Sequence, residues 1–311
     1  MLELSRRSSR LLARKITYAG SAQTRGGRAV VRLMENATGR IRLIRRAEGY
    51  EREVAEGRDF WDVMVARYGL EIRVFGERLA AIPRTGPLVL IANHPYGILD
   101  GLVMGQVLSQ TRGDFRIVAN SVFGQAPAMD GIVLPICFDG GRESVARNLA
   151  TRKAALDYLA RGGQDGQGGA IGIFPGGTVS TAARPFARPM DPGWRAFTAK
   201  MIARSGATVV PLYFAGHTSR LFQVASHLHS TLRLGLLIRE FDKRVDTPVE
   251  ITVGAPVDPG EIAAHAKEPN KLMDFLRHKT YELGPDHPER FDYGLEFEDR
   301  YRRGNAPVRR Y

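Results

Sequence analysis

The chain has 311 residues, 43% of them hydrophobic and 25% charged, the proportions of a folded protein with a sizeable core and not of a disordered one. Its one cysteine, Cys137, excludes an intramolecular disulfide and a cysteine-rich zinc site, and points to a reducing compartment. Lys and Arg outnumber Asp and Glu by 45 to 33, a formal charge of +12, so part of the molecule has to sit beside something anionic.

That excess is concentrated at the start. Residues 1–46 carry twelve basic side chains against Glu3 and Glu35, which is +10 of the total. The first ~20 residues imitate an organellar transit peptide in being arginine-rich and acid-poor. No apolar core of the kind a secretory signal needs follows Arg6 and Arg7. Val30, Leu33, Met34, Ala37, Ile41 and Ile44 recur at steps of three or four, an apolar helical stripe flanked by arginines. Such a stripe either lies among lipid headgroups, with its arginines on phosphates, or docks on the protein's own core.

Strand-sized and helix-sized segments then alternate. Apolar runs at Leu70–Phe75, Leu88–Ala92, Phe115–Ala119, Ala170–Phe174, Thr208–Phe214 and Leu232–Ile238 have strand length, and Val249–Val253 alternates with period two. None approaches the roughly 18–20 residues that cross a bilayer. Val145, Leu149, Leu156 and Leu159 share a helical face, as do Leu221, Phe222, Ala225 and Leu228, and Leu272, Phe275, Leu276 and Leu283. Residues 162–169, rich in glycine, read as a surface loop, and the charged stretch from Gly284 onward reads as a poorly packed tail. The alternation predicts a single α/β domain with a mixed, mostly buried sheet flanked by helices, preceded by basic amphipathic N-terminal helices.

Several chemistries lack their residues. There is no G-x-S-x-G elbow, no G-x-x-x-x-G-K-[ST] loop and no H-E-x-x-H helix. Histidines 227 and 229, two apart in a predicted helix, point to different sides and make a poor metal pair.

Two segments remain. In the first, the buried strand Leu88–Ala92 runs into Asn93-His94-Pro95-Tyr96-Gly97, and Asp100 follows at the start of a new apolar segment. A histidine just past the carboxyl end of an α/β strand occupies the usual ligand crevice. If His94 sits on the loop and Asp100 in the first helical turn, the carboxylate holds one imidazole nitrogen and leaves the other to accept a proton. The alternative is a strand-end histidine and a helix-capping aspartate. The second segment, Phe174-Pro175-Gly176-Gly177-Thr178-Val179-Ser180, ends a strand in a glycine turn. Its backbone N–H groups, its hydroxyls and the nearby Arg184 suit an anion, and a plain tight turn is the alternative.

With Val209-Val210-Pro211, these blocks resemble, in order and spacing, the motifs of the glycerolipid acyltransferase superfamily. Gly216–Phe222 and Asp191–Trp194 look most like the bacterial branch of lysophospholipid acyltransferases labelled hemolysins, and the resemblance covers about residues 25–283. Two positions depart from the pattern. Five residues instead of the usual four separate His94 from Asp100, and Gly176 and Val179 stand where the superfamily has glutamate and arginine.

The resemblance implies acyl transfer from acyl-CoA or acyl carrier protein to the hydroxyl of a lysolipid. The acceptor would be lysophosphatidic acid or a lyso-aminolipid such as lyso-ornithine lipid. His94 would be the general base oriented by Asp100. Asn93, Gly97, Phe174, Pro175, Gly176, Gly177, Thr178, Ser180, Arg184 and Arg220 would bind substrate, with backbone N–H groups around Gly176–Thr178 facing the oxyanion. No metal or resident cofactor and no nucleic acid is expected. Residues 1–60 would be the membrane-associating region, 61–283 the acyltransferase domain and 284–311 a charged tail. The protein would lie peripherally on the cytoplasmic face of the inner membrane, beside anionic lipids. A non-catalytic lipid- or acyl-carrier-binding protein on the same fold is the alternative.

Overall fold

The computed structural model describes residues 17–22, 24–120, 129, 131–136, 142–163, 166, 168–285 and 292–297. Arg6, Arg7, Arg10, Arg14, Lys15, Cys137, Gln164, Asp165, Gln167 and the terminal arginines from Arg302 onward lie outside these residues, as does the side chain of Val145. The described chain opens with four short helices, α1 (Arg25–Ala37), α2 (Arg40–Ala47), α3 (Tyr50–Ala55) and α4 (Phe60–Arg67). Seven strands follow, β1 (Glu71–Gly76), β2 (Leu88–Ala92), β3 (Arg116–Asn120), β4 (Val133–Ile136), β5 (Ala170–Ile173), β6 (Thr208–Phe214) and β7 (Pro248–Val253). Between and after them lie α5 (Ile98–Arg112), α6 (Arg142–Arg161), α7 (Ala196–Ser205), α8 (Arg220–Leu228), α9 (Ser230–Asp242), α10 (Pro259–His265) and α11 (Pro269–Tyr281).

The strands form one sheet in the order β1-β7-β6-β2-β5-β3-β4, parallel throughout except for the β6–β7 pair. The fold is therefore a single α/β domain with a mixed sheet. Strand β2 lies at its centre, and all five of its residues are buried because helices cover both faces. Its side chains alternate between two cores. Leu88, Leu90 and Ala92 pack with residues of α1, α2, α4, α5 and α9, whereas Val89 and Ile91 pack with residues of α6, α7 and α11. Helix α5 lies close against the sheet because Gly172 leaves room for Met104, and close against α4 because Gly105 leaves room for the Trp61 ring.

Several local expectations change in the folded chain. The run Leu232–Ile238 is not a strand but the middle of helix α9, packed against α1 and α8. A helix buried on nearly all sides shows no amphipathic period, so its composition is the same as that of an interior strand. Leu149 on α6 and Leu221 and Leu228 on α8 are exposed, while Ala155, Leu159, Phe222 and Ala225 carry the contacts of those helices. His229 is extended and separates α8 from α9, its Nδ1 accepting from the Thr231 N–H at 3.0 Å.

Of the N-terminal stripe only Met34, which packs against the core, and Ile44 are half-buried; the fully buried Val31 and Leu43 lie outside the stripe. Val30, Leu33, Ala37 and Ile41 face outward, Leu33 with 71% of its surface exposed. Residues 292–297, within the segment expected to be a loose tail, are packed. In residues 292–297, Gly294 and Leu295 donate backbone hydrogen bonds to Asp191 and Thr181, and Glu296 forms a buried ion pair with Arg195 at 2.6 Å.

Candidate active site

The carboxyl ends of three adjacent strands meet in one crevice: His94 follows β2, Phe174 follows β5, and Phe214 closes β6. Asn93 joins β2 to β6. Its Nδ2 donates to Phe214 O at 2.9 Å, and its Oδ1 accepts from Phe214 N at 2.7 Å. Both ends of the buried amide are thereby engaged, so Asn93 frames the crevice.

Gly97 is the hinge between the loop and α5. Its φ of 82° with ψ of −116° belongs to glycine alone. A Cβ there would also press on Val179 at 3.2 Å. The turn brings Asp100, in the first turn of α5, back under the loop. Its Oδ2 accepts from the Tyr96 N–H at 2.7 Å and the Gly97 N–H at 3.0 Å, and lies 3.0 Å from His94 Nδ1. The five-residue spacing therefore closes through a loop and a helical turn. The His94 contact is close but off the hydrogen-bond line, and Asp100 Oδ1 takes no donor among the described residues. Such loose geometry is common in a resting site and tightens around substrate. The Asp100 side chain has no exposed surface, and burial raises its carboxyl above the ordinary range against the lowering pull of the imidazole and the two N–H groups. The His94 ring stacks on Phe174, with centroids 4.2 Å apart, which sets its plane.

The glycine turn runs beside this pair. Ser180 N donates to His94 O at 2.8 Å, and Gly177 N donates to Phe174 O at 3.0 Å, closing the turn. Gly177 is thus unavailable to an oxyanion, whereas the Gly176 and Thr178 N–H groups have no acceptor among the described residues. Pro175 is buried and its carbonyl accepts from Arg195 N at 3.0 Å, a structural contact. Across residues 93–100 and 174–180, only His94, Ile98, Phe174, Gly177 and Thr178 keep appreciable exposure, and they define the mouth.

Three predicted contacts fall elsewhere. Ser180 is buried, with its hydroxyl 2.5 Å from Asp191 Oδ1. Arg184 and Arg220 are exposed, and neither side chain makes a hydrogen bond or ion pair among the described residues. Sequence position alone had placed both arginines near the motifs, but their backbones direct them to solvent.

Two residues of consequence were not among the candidates. Asp191 is fully buried and gathers His94 N (3.1 Å), Ser180 Oγ (2.5 Å) and Trp194 Nε1 (2.8 Å) on one carboxylate. A Cβ at Gly176 would meet Asp191 at 3.3 Å, so Asp191 fills the space behind the position where the superfamily pattern has glutamate. The other is Arg233 on α9, which bonds the glycine turn from its far side. The segment Asp191-Pro192-Gly193-Trp194 held a signal for the first; the run containing Arg233 held none. Among the described residues, no group of three or more His, Cys, Asp and Glu side chains is arranged to hold a metal.

A histidine and a buried carboxylate at the strand ends, beside a turn whose Gly176 and Thr178 N–H groups have no acceptor among the described residues, form the candidate site. Residues 73–215 match the acyltransferase family model. Two relatives are lyso-glycine lipid O-acyltransferases. The one from Phocaeicola vulgatus is 23% identical over 73% of this chain and 78% of its own length. The one from Bacteroides thetaiotaomicron is 23% identical over 73% of this chain and 80% of its own. Among solved structures, the 1-acyl-sn-glycerophosphate acyltransferase PlsC of Thermotoga maritima superposes with a TM-score of 0.45 at 16% identity, over 76% of this chain and 80% of that one. These likenesses support the glycerolipid acyltransferase superfamily and an O-acyltransferase activity.

Proposed function

We propose that this enzyme moves a fatty acyl group from a thioester, on coenzyme A or acyl carrier protein, to the hydroxyl of a lysolipid. The observation that carries the reading is the His94–Asp100 pair at the mouth, 3.0 Å apart with the carboxylate sealed from solvent. An alcohol is a weak nucleophile at neutral pH and needs a base as the new bond forms. With Nδ1 turned to Asp100, His94 uses its other ring nitrogen to take the hydroxyl proton as oxygen attacks the thioester carbon. That proton passes to the departing thiolate when the tetrahedral intermediate collapses. The Gly176 and Thr178 N–H groups are the donors for the oxyanion. The order is sequential, since no covalent acyl-enzyme is needed.

The lyso-glycine lipid named for the two relatives supports a lyso-aminolipid acceptor over lysophosphatidic acid. The outward row Val30, Leu33, Ala37 and Ile41, with Arg25, Arg32 and Arg45 exposed beside it, supports peripheral attachment to an anionic membrane. No helix among the described residues is long and apolar enough to cross one.

The test is acyl transfer on anionic vesicles with both donors and a panel of glycine-, ornithine- and phosphate-headed lysolipids. Diacyl product from wild type should fall by about 10²–10⁴-fold in His94→Ala. Equal product from the variant would overturn the histidine mechanism.

A further inference from the structure

Arg233 is buried to 5% exposure in helix α9, and its guanidinium has no carboxylate partner among the described residues. Its bonds all go to neutral oxygens. Nη2 donates to Thr178 Oγ1 and Val179 O, both at 2.9 Å, and Nη1 to Thr181 Oγ1 at 2.6 Å and Ser226 Oγ at 3.1 Å. The rings of Phe297 and Phe222 lie 3.9 and 5.0 Å from its carbon. Aromatic faces and hydroxyls solvate a cation but do not neutralise it. Burial pulls its pKa down to about 9, which still leaves the group charged at neutral pH.

The charge lies directly beneath the mouth. Thr178 is half-exposed there, and an oxygen that accepts from a guanidinium must turn its own proton away from it. The Thr178 O–H is thereby aimed off Arg233 and polarised as a donor. The buried carboxylates have other partners: Asp100 holds the loop N–H groups, Asp191 holds Ser180 and Trp194, Glu35 holds Thr17 and Tyr18 N, Glu240 holds Ser219, and Glu296 pairs with Arg195. Val179, at the position where the superfamily pattern has arginine, offers its carbonyl to this one. The cation missing from the turn is supplied through space by a different helix.

We propose that Arg233, acting through Thr178, makes this site select acyl acceptors that carry an anionic headgroup, a carboxylate or a phosphate, close to the hydroxyl being acylated. This rests on the reading of the site as a lysolipid acyltransferase. Thr178 is the contact and Arg233 the positioning residue that charges it. An anionic headgroup supplies the countercharge that the protein does not.

The test uses the full chain on zwitterionic phosphatidylcholine vesicles, which removes surface charge as a cause of preference. The acceptors are a glycine-headed lysolipid, its methyl ester, and lysophosphatidic acid. Steady-state acylation and equilibrium binding of each by calorimetry are measured for wild type, Thr178→Val, Arg233→Lys and Arg233→Met. Wild type should favour the acids over the ester by roughly 10- to 100-fold, mainly in acceptor KM. Thr178→Val and Arg233→Met should erase that ratio, and Arg233→Lys should restore part of it. The stronger of the two acids names the headgroup. Equal use of acid and ester by wild type, or a loss in Thr178→Val that is the same for both, would overturn the proposal. Thr178→Val, isosteric and at the surface, keeps the test open if Arg233→Met fails to fold. Acid-selective binding without turnover would support the inference and sink the acyltransfer reading of the site; unselective binding would sink the inference.

Discussion

Asp100 holds Tyr96, Gly97 and His94 together while sealed from solvent, and these two roles pull its carboxyl in opposite directions. Burial wins, and the carboxyl is raised above its ordinary value of 3.8. A carboxyl raised on folding binds its proton more tightly in the native state than in the unfolded one. Its contribution to stability is therefore complete at low pH and is lost as pH rises through the folded value. Asparagine keeps an oxygen for the two N–H groups and never ionises. Asp100→Asn should accordingly gain stability relative to wild type as pH climbs from about 4 to neutral, while acyl transfer falls about 10²–10⁴-fold. Urea unfolding of both proteins across that range checks this, and a stability gap independent of pH would refute it. The pairing of these residues was legible from the strand, the proline turn and the aspartate. The Asp191–Trp194 segment marked Asp191 but not its role, because nothing local says that a carboxylate 97 positions away will accept from His94 N.

Helix α1 shows how an element can serve two environments. Val31 and Glu35 anchor it inward, the Glu35 carboxylate accepting from Thr17 Oγ1 at 2.5 Å and Tyr18 N at 2.6 Å, while Leu33 stands in solvent. An exposed leucine contributes nothing to folding, and it becomes useful where it enters a headgroup layer. Leu33→Glu should leave the thermal midpoint unchanged and weaken binding to anionic vesicles by at least about 10-fold. Flotation assays of both proteins decide it, and undiminished binding would remove α1 from the membrane contact. Helix α9 gives the converse lesson. Its apolar run was read as a strand because burial on all sides hides the 3.6-residue period, and only contact with α1 and α8 distinguishes the two structures.

Across the whole molecule, the described part of the C-terminal segment is a strap over the site's supports. Glu296 pairs with Arg195, whose side chain is 13% exposed against 6% for the glutamate, and Arg195 N also holds the Pro175 carbonyl of the glycine turn. Arg277, fully buried in α11, donates to Asp191 O at 3.0 Å and Asp292 O at 2.7 Å, tying the strap to the same hub. Removing one partner of a buried pair leaves an uncompensated charge, so Glu296→Ala should cost about 3 kcal/mol. The double variant with Arg195→Ala should recover part of that loss. Denaturant midpoints of the three variants test it, and an unchanged midpoint in Glu296→Ala would mean that the strap is not coupled to the core.

What the amino-acid order determined by itself is what depends on neighbours in the chain. That includes the buried central strand, the alternation that makes an α/β sheet, the glycine at 97 that turns His94 toward Asp100, and the glycine turn at 176–177. The tertiary structure decided the rest. It directed Arg184 and Arg220 to solvent, put Asp191 where a side chain at 176 would have gone, brought Arg233 from α9 beneath Thr178, and packed Glu296 against Arg195. Each of these joins groups by burial and charge across distant stretches of chain. The energy that fixes them exists only once the helices and the sheet have closed together and excluded water.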